Sequence, residues 1–483
     1  MVTAPWRELF APGLAGRALI LAGGVTLHAT NIFVAATTLP SIVADIGGLA
    51  WYAWSTTLYV VGSIIGSAAS AQALDGFGAR RAYRWAAILF GIGAAIDAIA
   101  PSMAVLLAGR TIQGFGGGML FALGYAVIRQ VLPQRLWPRG IALVTLTWGI
   151  SSLFGPFIGG VFAEFATWRL AFATMAAATL LFILAGERLL PNAPPPGTPT
   201  PARFPIRRLA LLALAVLVIS GASVFPNLWI NAAGIATALA LLIRMARIEA
   251  RASVRLLPSD AFRPSTPLGA VYLTMSLIMA GTSGVLFVPF LMQTIHGMTP
   301  LGAGYLAVLQ AMGWTAGSMT ASGAGQAAAR RWIVAGPMVT FVGLVGLAFS
   351  VPFGTQGSTA SIALVCLFQF GVGYGVGIGW PHLLTRVMTA APDDERSLAS
   401  SSLSTIQLIA SSVASAIAGM IANLAGLADP GGIPGATNAA LWLYAISACA
   451  PLLAATSAAA LVARPMLNAS AGSSKPAPAP GRD

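Results

Sequence analysis

A guanidinium, an imidazole and a few amides interrupt stretches that are otherwise apolar, and their types set the chemistry open to the chain. Arg110 lies seven residues into an apolar run that begins near residue 103, ~10 Å along a helix axis at about 1.5 Å per residue. A charge at the bilayer centre costs about 2.5 to 3.5 kcal/mol on insertion scales, so something must offset it. Two readings stand: a guanidinium satisfied by carbonyls of the first helix, or one that faces a cavity, holds a substrate or influences proton release. His28 lies twelve residues before Pro40, ~18 Å of helix and hence near the midplane. Histidine titrates near neutral pH without perturbation. His28 therefore either carries protons in the place of an acid or sits neutral, hydrogen-bonded between helices. Thr26, Thr30 and Asn31 accompany it, and this first run holds no carboxylate. Asp97, near the end of the third run, reads as interfacial. Gln113 and Gln369 are further polar candidates for a substrate or proton pathway. Tyr125, Trp148, Trp314, Tyr374 and Trp380 are candidates to line a greasy cavity, with packing or interfacial anchoring as the plainer reading.

The elements that position these groups follow from hydropathy. Of 483 residues, 57% are hydrophobic and 8% charged, against about 25% charged in an ordinary soluble domain. This is the composition of an integral membrane protein. Runs of roughly 20 mainly apolar residues, enough to cross the hydrocarbon core, fall near 17–39, 51–74, 83–100, 103–128, 140–163 and 169–186. After a Pro-rich stretch from Pro191 to Pro205 come 207–225 and 229–246, then a basic connector from Arg247 to Arg263. Six more follow near 267–291, 301–324, 332–353, 359–385, 397–424 and 437–463, and the composition of the tail predicts disorder. The first run has no clear small-residue cleavage site and reads as a retained span.

Charge tests the count independently. With the N-terminus inside, the arginines at 7 and 17, at 80, 81 and 84, at 129, 135 and 139, and in every later inside segment fall on one face, and Arg169 alone falls on the other. That follows the positive-inside rule at each loop and would break with one span more or fewer. Fourteen spans fit best, and losing the 207–246 hairpin would leave twelve. The net charge of +13 is dispersed rather than gathered on one run, which argues against nucleic acid. Cys366 and Cys449 both lie in apolar runs, so neither a disulfide framework nor a metal cluster is indicated. His28, His296 and His382 have no metal-ligand spacing. A phosphate-binding loop needs Gly-Lys-Ser/Thr, and the one lysine, Lys475, precedes Pro476. QGFGGG at 113–118 and GVGYGVGIG at 371–379 lie outside any strand–helix context and read as tight helix packing.

Two stretches suggest moving parts. Gly155, Pro156, Gly159 and Gly160, within WGISSLFGPFIGG, give a kinked helix with close neighbours, either as a packing face alone or as part of a conformational cycle. Asp75, Gly78, Arg80 and Arg81 sit in a short inside loop where Gly78 can take positive φ and Asp75 can bond backbone donors or a nearby arginine. They form a tight turn or a latch that breaks when two halves rock. Six spans, a hairpin and six spans is the layout of a duplicated transporter. The residues echo it faintly, with Ala-Arg-Arg before an aromatic in both ALDGFGARRAYRWA at 73–86 and AGQAAARRWIVAG at 324–336.

LPSIVADIGG at 39–48, WSTTLY at 54–59, DGFGARR at 75–81, GRTIQGFGGG at 109–118, and GPFIGG followed by WRLAF at 155–172 together resemble the major facilitator superfamily, in its fourteen-span drug/proton antiporter branch. FVPFLMQTIHGMTPLGAGYL at 287–306 is similar to the family's ninth and tenth spans. The resemblance implies that Asp75 and the basic residues after it gate the cytoplasmic side, that Arg110 serves proton coupling, and that the Gly-Pro run marks an antiporter. The chain departs from the family at Ala71, Gly76 and Ala79 in the loop motif and at Asn31, where relatives carry an aspartate.

The expectation is an all-α integral membrane protein of the major facilitator fold, with 14 transmembrane helices: a six-helix bundle over 1–190, a linker at 191–206, an inserted two-helix hairpin and connector at 207–264, a second bundle over 265–464 and a disordered tail from 465. The expected function is alternating-access, proton-coupled efflux of amphiphilic or hydrophobic small molecules from a cell with both termini cytoplasmic. Its partners are the substrate, protons and the lipid bilayer. No enzyme activity, cofactor, metal or nucleic acid is implied, and the sequence assigns no oligomeric state. The alternatives are a proton-independent facilitator or symporter of a small solute, and a transport-inactive membrane sensor.

Overall fold

Apolar runs in lipid have no solvent partner for their backbone, so each must close its own hydrogen bonds as a helix. The computed structural model describes residues 5–191, 205–252, 255–258, 260–323, 325–391 and 395–463, and among these it contains helices and no strand. Most of the linker and the whole tail from 465 lie outside the described residues. The long helices are α1 (Ala15–Ile46), α2 (Tyr52–Ala98), α3 (Met103–Ala126), α4 (Trp137–Phe165), α5 (Trp168–Leu189), α6 (Ile206–Ser223) and α7 (Leu228–Ala250). After the connector come α8 (Pro267–Gly281), a 3₁₀ segment Thr282–Phe287, α9 (Val288–His296), α10 (Pro300–Ala321), α11 (Gln326–Phe353), α12 (Thr359–Ala390), α13 (Arg396–Leu424) and α14 (Gly432–Ala463). Eleven helices among the described residues are long and apolar enough to cross a membrane.

Helix α2 is a folded hairpin. Gly78, at φ 76° and ψ 169°, breaks it at one residue, so the expected loop of several residues shrinks to a single glycine in a conformation other side chains avoid. The contacts of the two arms with α3 prove the reversal. Along arm 52–77, the carbonyls of Tyr59 and Ser63 face Gly114 and Gly118 in ascending order. Along arm 79–98, Phe90 faces Gly116 and Gly93 faces Gln113, in descending order. The expected span near 267–291 is likewise not one helix, because the 3₁₀ segment separates α8 from α9. Gly281 and Gly284 meet Pro451 and Tyr444 of α14 there.

The same three-helix arrangement recurs in α10, α11 and α12. Gly373 and Gly377 of α12 face the carbonyls of Gln310 and Trp314, while Gly375 faces Gly336 and Thr340, and Gly343 faces Val372. Each residue of the first trio has a counterpart in the second at a constant offset along its helix. Tyr59 answers to Gln310, Arg110 to Gln369, Gln113 to Val372 and, one turn beyond Gly93 and Gly343, Asp97 to Leu347. Glycines four apart let the backbones touch, which is how helices associate where lipid supplies no hydrophobic drive.

The two sets of helices share their largest core at one end. One buried cluster joins Leu39, Tyr52 and Trp168 to Phe287, Leu291 and Ala303. The next two clusters stay within residues 9–190 and within residues 268–461, while two smaller ones run along the α6–α7 side and join Val61 and Ile64 of α2 to α13. The joined end is also tied by polar bonds: Leu301 N–H donates to Glu164 Oε2 at 3.2 Å and the Tyr52 hydroxyl to the Leu286 carbonyl at 3.4 Å. At its rim Arg169 holds Asp45 at 2.5 Å and the Ala100 carbonyl at 3.0 Å. The other end carries Arg84, paired with Glu187 at 2.5 Å. The α6–α7 pair is lodged beside α2 and α13, with Trp54 Nε1 donating to the Ser220 carbonyl at 2.9 Å and Asn423 Nδ2 to Ser223 at 2.9 Å. A buried ion pair, Arg208–Glu249 at 2.6 Å, clips its open ends together. Removing one partner of such a pair costs about 3 to 5 kcal/mol, because the other charge is stranded.

Candidate functional site

Helices α1, α2 and α3 bring the sequence's polar candidates together around a residue that reading the sequence missed. Arg110, 1% exposed, projects from α3 and donates through Nη1 to Gln113 Oε1 at 2.6 Å and through Nε to the Ser55 carbonyl at 3.4 Å. Its carbonyl partner is thus on α2, not on the first helix as expected. The guanidinium carbon lies 4.2 Å from the centre of the Tyr59 ring, a cation–π contact worth about 2 kcal/mol or more when desolvated. Gln113 Oε1 also accepts from Asn31 Nδ2 at 3.0 Å. Tyr59 completes the ring of contacts by placing its hydroxyl 2.9 Å from His28 Nδ1 and 3.1 Å from the His28 carbonyl. That hydroxyl has one proton, so it donates either to the ring nitrogen or to the carbonyl, and the tautomer of His28 follows the choice.

His28 is 2% exposed and boxed by aromatic rings: Tyr59 and Phe121 at 5.4 Å and Trp148 at 6.2 Å. Tyr125 stands behind Phe121, at 5.5 Å. Thr30 donates to Ser151 Oγ at 3.0 Å, tying α1 to α4 at the same depth. His28, Asn31, Arg110, Gln113, Tyr125 and Trp148 therefore belong to one neighbourhood, with Tyr59 as its hub. The sequence carried one signal for Tyr59: it ends the WSTTLY stretch on the helix that glycines 114 and 118 must approach.

Asp97 corrects another expectation. It is not interfacial but fully buried, and both carboxylate oxygens lack a hydrogen-bond partner among the described residues. Gly109 makes room for it, since a Cβ there would stand 2.2 Å from Oδ1. On the second trio, Gln369 Nε2 donates to Gln310 Oε1 at 3.3 Å. Trp314 stacks edge-on with Trp380 at 5.1 Å, and Thr320 donates to the Tyr374 hydroxyl at 3.2 Å. These second-half groups have no hydrogen bond or ring contact to the first-half cluster among the described residues.

The expected moving parts fall in two places. Gly155 and Gly159 press on Phe33 and Val34 of α1, while Gly160, on the adjoining face, presses on Leu301 of α10, and Gly304 of α10 meets Pro156. One turn of α4 thus touches its own half and the opposite one. At the other end Asp75 and Arg81 are exposed and helical. Arg80 bonds the Leu190 carbonyl, through Nε at 2.7 Å and also through Nη2, so it caps the end of α5 instead of closing on Asp75.

The family model of the major facilitator superfamily matches residues 21–415. The chain belongs to this superfamily. It is similar to a probable multidrug-efflux transporter of Mycobacterium tuberculosis, 38% identical over 434 residues that cover 88% of this chain and 90% of the relative. Solved structures share the fold. A POT family transporter in complex with a thioalcohol-conjugated peptide superposes with a TM-score of 0.67 at 15% identity, covering 90% of this chain and 95% of the other. A bacterial homologue of the human lysosomal transporter Spinster, in an inward-facing and unoccupied conformation, gives 0.65 at 13% identity, covering 93% and 97%. As a major facilitator transporter the chain is a multi-pass membrane protein.

Proposed function

We propose that the chain exports amphiphilic or hydrophobic small molecules across a bacterial plasma membrane in exchange for protons, by alternating access. In this reading α2 crosses the bilayer twice, and Met103–Ala126 and Pro300–Ala321 cross it as well. Together with the other apolar helices they make fourteen passes with both termini in the cytoplasm. The first bundle covers 1–190, a linker 191–206, the inserted pair and connector 207–264, and the second bundle 265–464. The Arg80 end then faces the cytoplasm, and the end sealed by Leu39, Phe287 and Leu291 faces outward, so the molecule is open inward.

One observation carries the proposal: the largest core shared by the halves lies at one end, and a buried cation with an aromatic box lies between the ends. The partly exposed rings of Trp148, Phe121 and Tyr125 beside His28 suit flat apolar groups, and Tyr59, Asn31 and Gln113 behind them become hydrogen-bond partners once the halves rock. Asp75, Gly78, Arg80 and Arg81 close the inner side by re-pairing once the halves rock, and Gly155, Pro156, Gly159 and Gly160 form the outer bearing. The relative's printed description as a multidrug-efflux transporter supports the direction and the substrate class. The test is reconstitution into liposomes with an imposed pH gradient, following a panel of lipophilic cations and neutral drugs. Uphill movement of at least one compound, abolished by a protonophore, is expected. Transport that ignores the gradient for every compound overturns proton coupling, and no transport of any compound overturns the substrate class.

A further inference from the structure

We infer that Asp97, at the outer end of the second arm of α2, is the carboxylate that binds the exchanged proton. The inference rests on the proton-coupled reading above. Among the described residues two carboxylates are almost fully buried, Asp97 and Glu249. Glu249 is committed to Arg208 and to the backbone N–H groups of Leu256 and Leu257. Asp97 has none of these supports. An ionised carboxylate sealed from water without a donor is strongly disfavoured, and a proton on either oxygen removes the charge.

The groups that face Asp97 come from several helices. From α3, Arg110 follows the glycine that touches Oδ1, and the carboxylate and guanidinium lie within electrostatic reach of each other. From the first arm of α2, Tyr59 does the same. At the rim above, Arg169 of α5 bonds Ala100, three residues on, and holds Asp45 of α1. Arg110 has only neutral hydrogen-bond acceptors, Gln113 and the Ser55 carbonyl, so Asp97 is the carboxylate placed to answer its charge. Position explains direction as well. In this structure the outer end is sealed over Asp97, and separating the halves at Leu39 and Phe287 opens that end to external water. The carboxylate takes one proton there, cancelling its charge and leaving Arg110 without a counter-ion. When the halves rock back and substrate enters from the cytoplasmic side, the O–H bond breaks, the proton passes to water admitted from that side, and the freed carboxylate again answers Arg110; no other covalent bond forms or breaks. The first helix, whose one acid, Asp45, is held by Arg169 at the rim, is then not required to carry the proton.

The experiment measures proton release on substrate binding with a pH dye in detergent, and uphill transport in proteoliposomes, using a compound that wild type exports. Asp97→Asn is expected to lose the released proton and the response to the pH gradient, at least tenfold, while still exchanging labelled for unlabelled substrate at equilibrium. Asp97→Glu restores the release with a displaced pH profile. Gly109→Ala, which crowds Oδ1 but keeps the acid, also shifts the profile. Should Asp97→Asn not fold, Asp97→Glu and Gly109→Ala decide: pH profiles matching wild type in both overturn the assignment. Undiminished release by a folded Asp97→Asn, or its loss in His28→Gln alone, overturns Asp97 while proton coupling stands. A wild type that releases no proton and ignores the gradient overturns the coupling itself, and this inference with it.

Discussion

The trio formed by α2 and α3 and the trio α10–α12 are built on one plan and fitted with different chemistry. Glycines 62, 66, 114 and 118 in the first meet backbone as glycines 313, 317, 373 and 377 do in the second. At the matched positions, Arg110 stands against Gln369, Tyr59 against Gln310, Gln113 against Val372 and Asp97 against Leu347. Small residues at the crossing fix how close two helices come and leave the flanking positions free. The contact was kept in both halves and the charge in one. A charged group in each half would have to be satisfied twice in lipid, whereas an amide pair such as Gln310–Gln369, 3.3 Å apart, satisfies itself.

The sharpest way to break this comparison is to make the first half resemble the second. Arg110→Gln should lower gradient-driven export on the order of 100-fold, about 2.7 kcal/mol of lost driving interaction, as read from initial rates in proteoliposomes. Activity near wild type would mean the charge asymmetry is idle. The shared scaffold is tested next. A Cβ at Gly114 would lie 2.2 Å from the Tyr59 carbonyl oxygen and one at Gly373 1.8 Å from that of Gln310. Each Gly→Ala change should therefore cost ~1–3 kcal/mol in thermal unfolding in detergent, and by similar amounts, while Gly149→Ala, with open space around it, should cost nothing. Unequal losses at 114 and 373 would show that the repeat is superficial. Third, Gln369→Leu strands the amide of Gln310, about 1 kcal/mol for a lost hydrogen bond, and should slow export about fivefold without altering its pH dependence. Smallest is the rim: the Arg169–Asp45 pair is 33% and 48% exposed, so Arg169→Ala should change stability by under ~1 kcal/mol.

Much of this arrangement is legible in the sequence. Apolar run length marks most of the helices, because hydrocarbon thickness sets the scale. QGFGGG and GVGYGVGIG read as packing because no strand precedes them, and their glycines do face neighbouring carbonyls. Arg110 and His28 stand out as polar residues far inside apolar runs. What escapes is lateral direction. Counting residues places Asp97 near a helix end but does not say that Gly109 opens a niche for it. Tyr59 looks like any aromatic in an apolar run until α1 and α3 are set beside it. The break between α8 and α9 is equally hidden, since Gly281, Gly284 and Pro289 are tolerated within continuous membrane helices. The reversal at Gly78 is sharper than its motif suggests, because one left-handed glycine does the work of a loop.

Helix α4 turns two faces of the same turn to different partners, α1 through Gly155 and Gly159 and α10 through Pro156 and Gly160. Prising α10 away relieves that turn on one side only, so α4 straightens or tips and drags α1 with it. Since α1 carries His28 and Asn31, the proposed export cycle would couple the end where the halves meet to the buried polar cluster. In that cycle a substrate seated against Trp148 would sense the state of the far end through the very helix it touches.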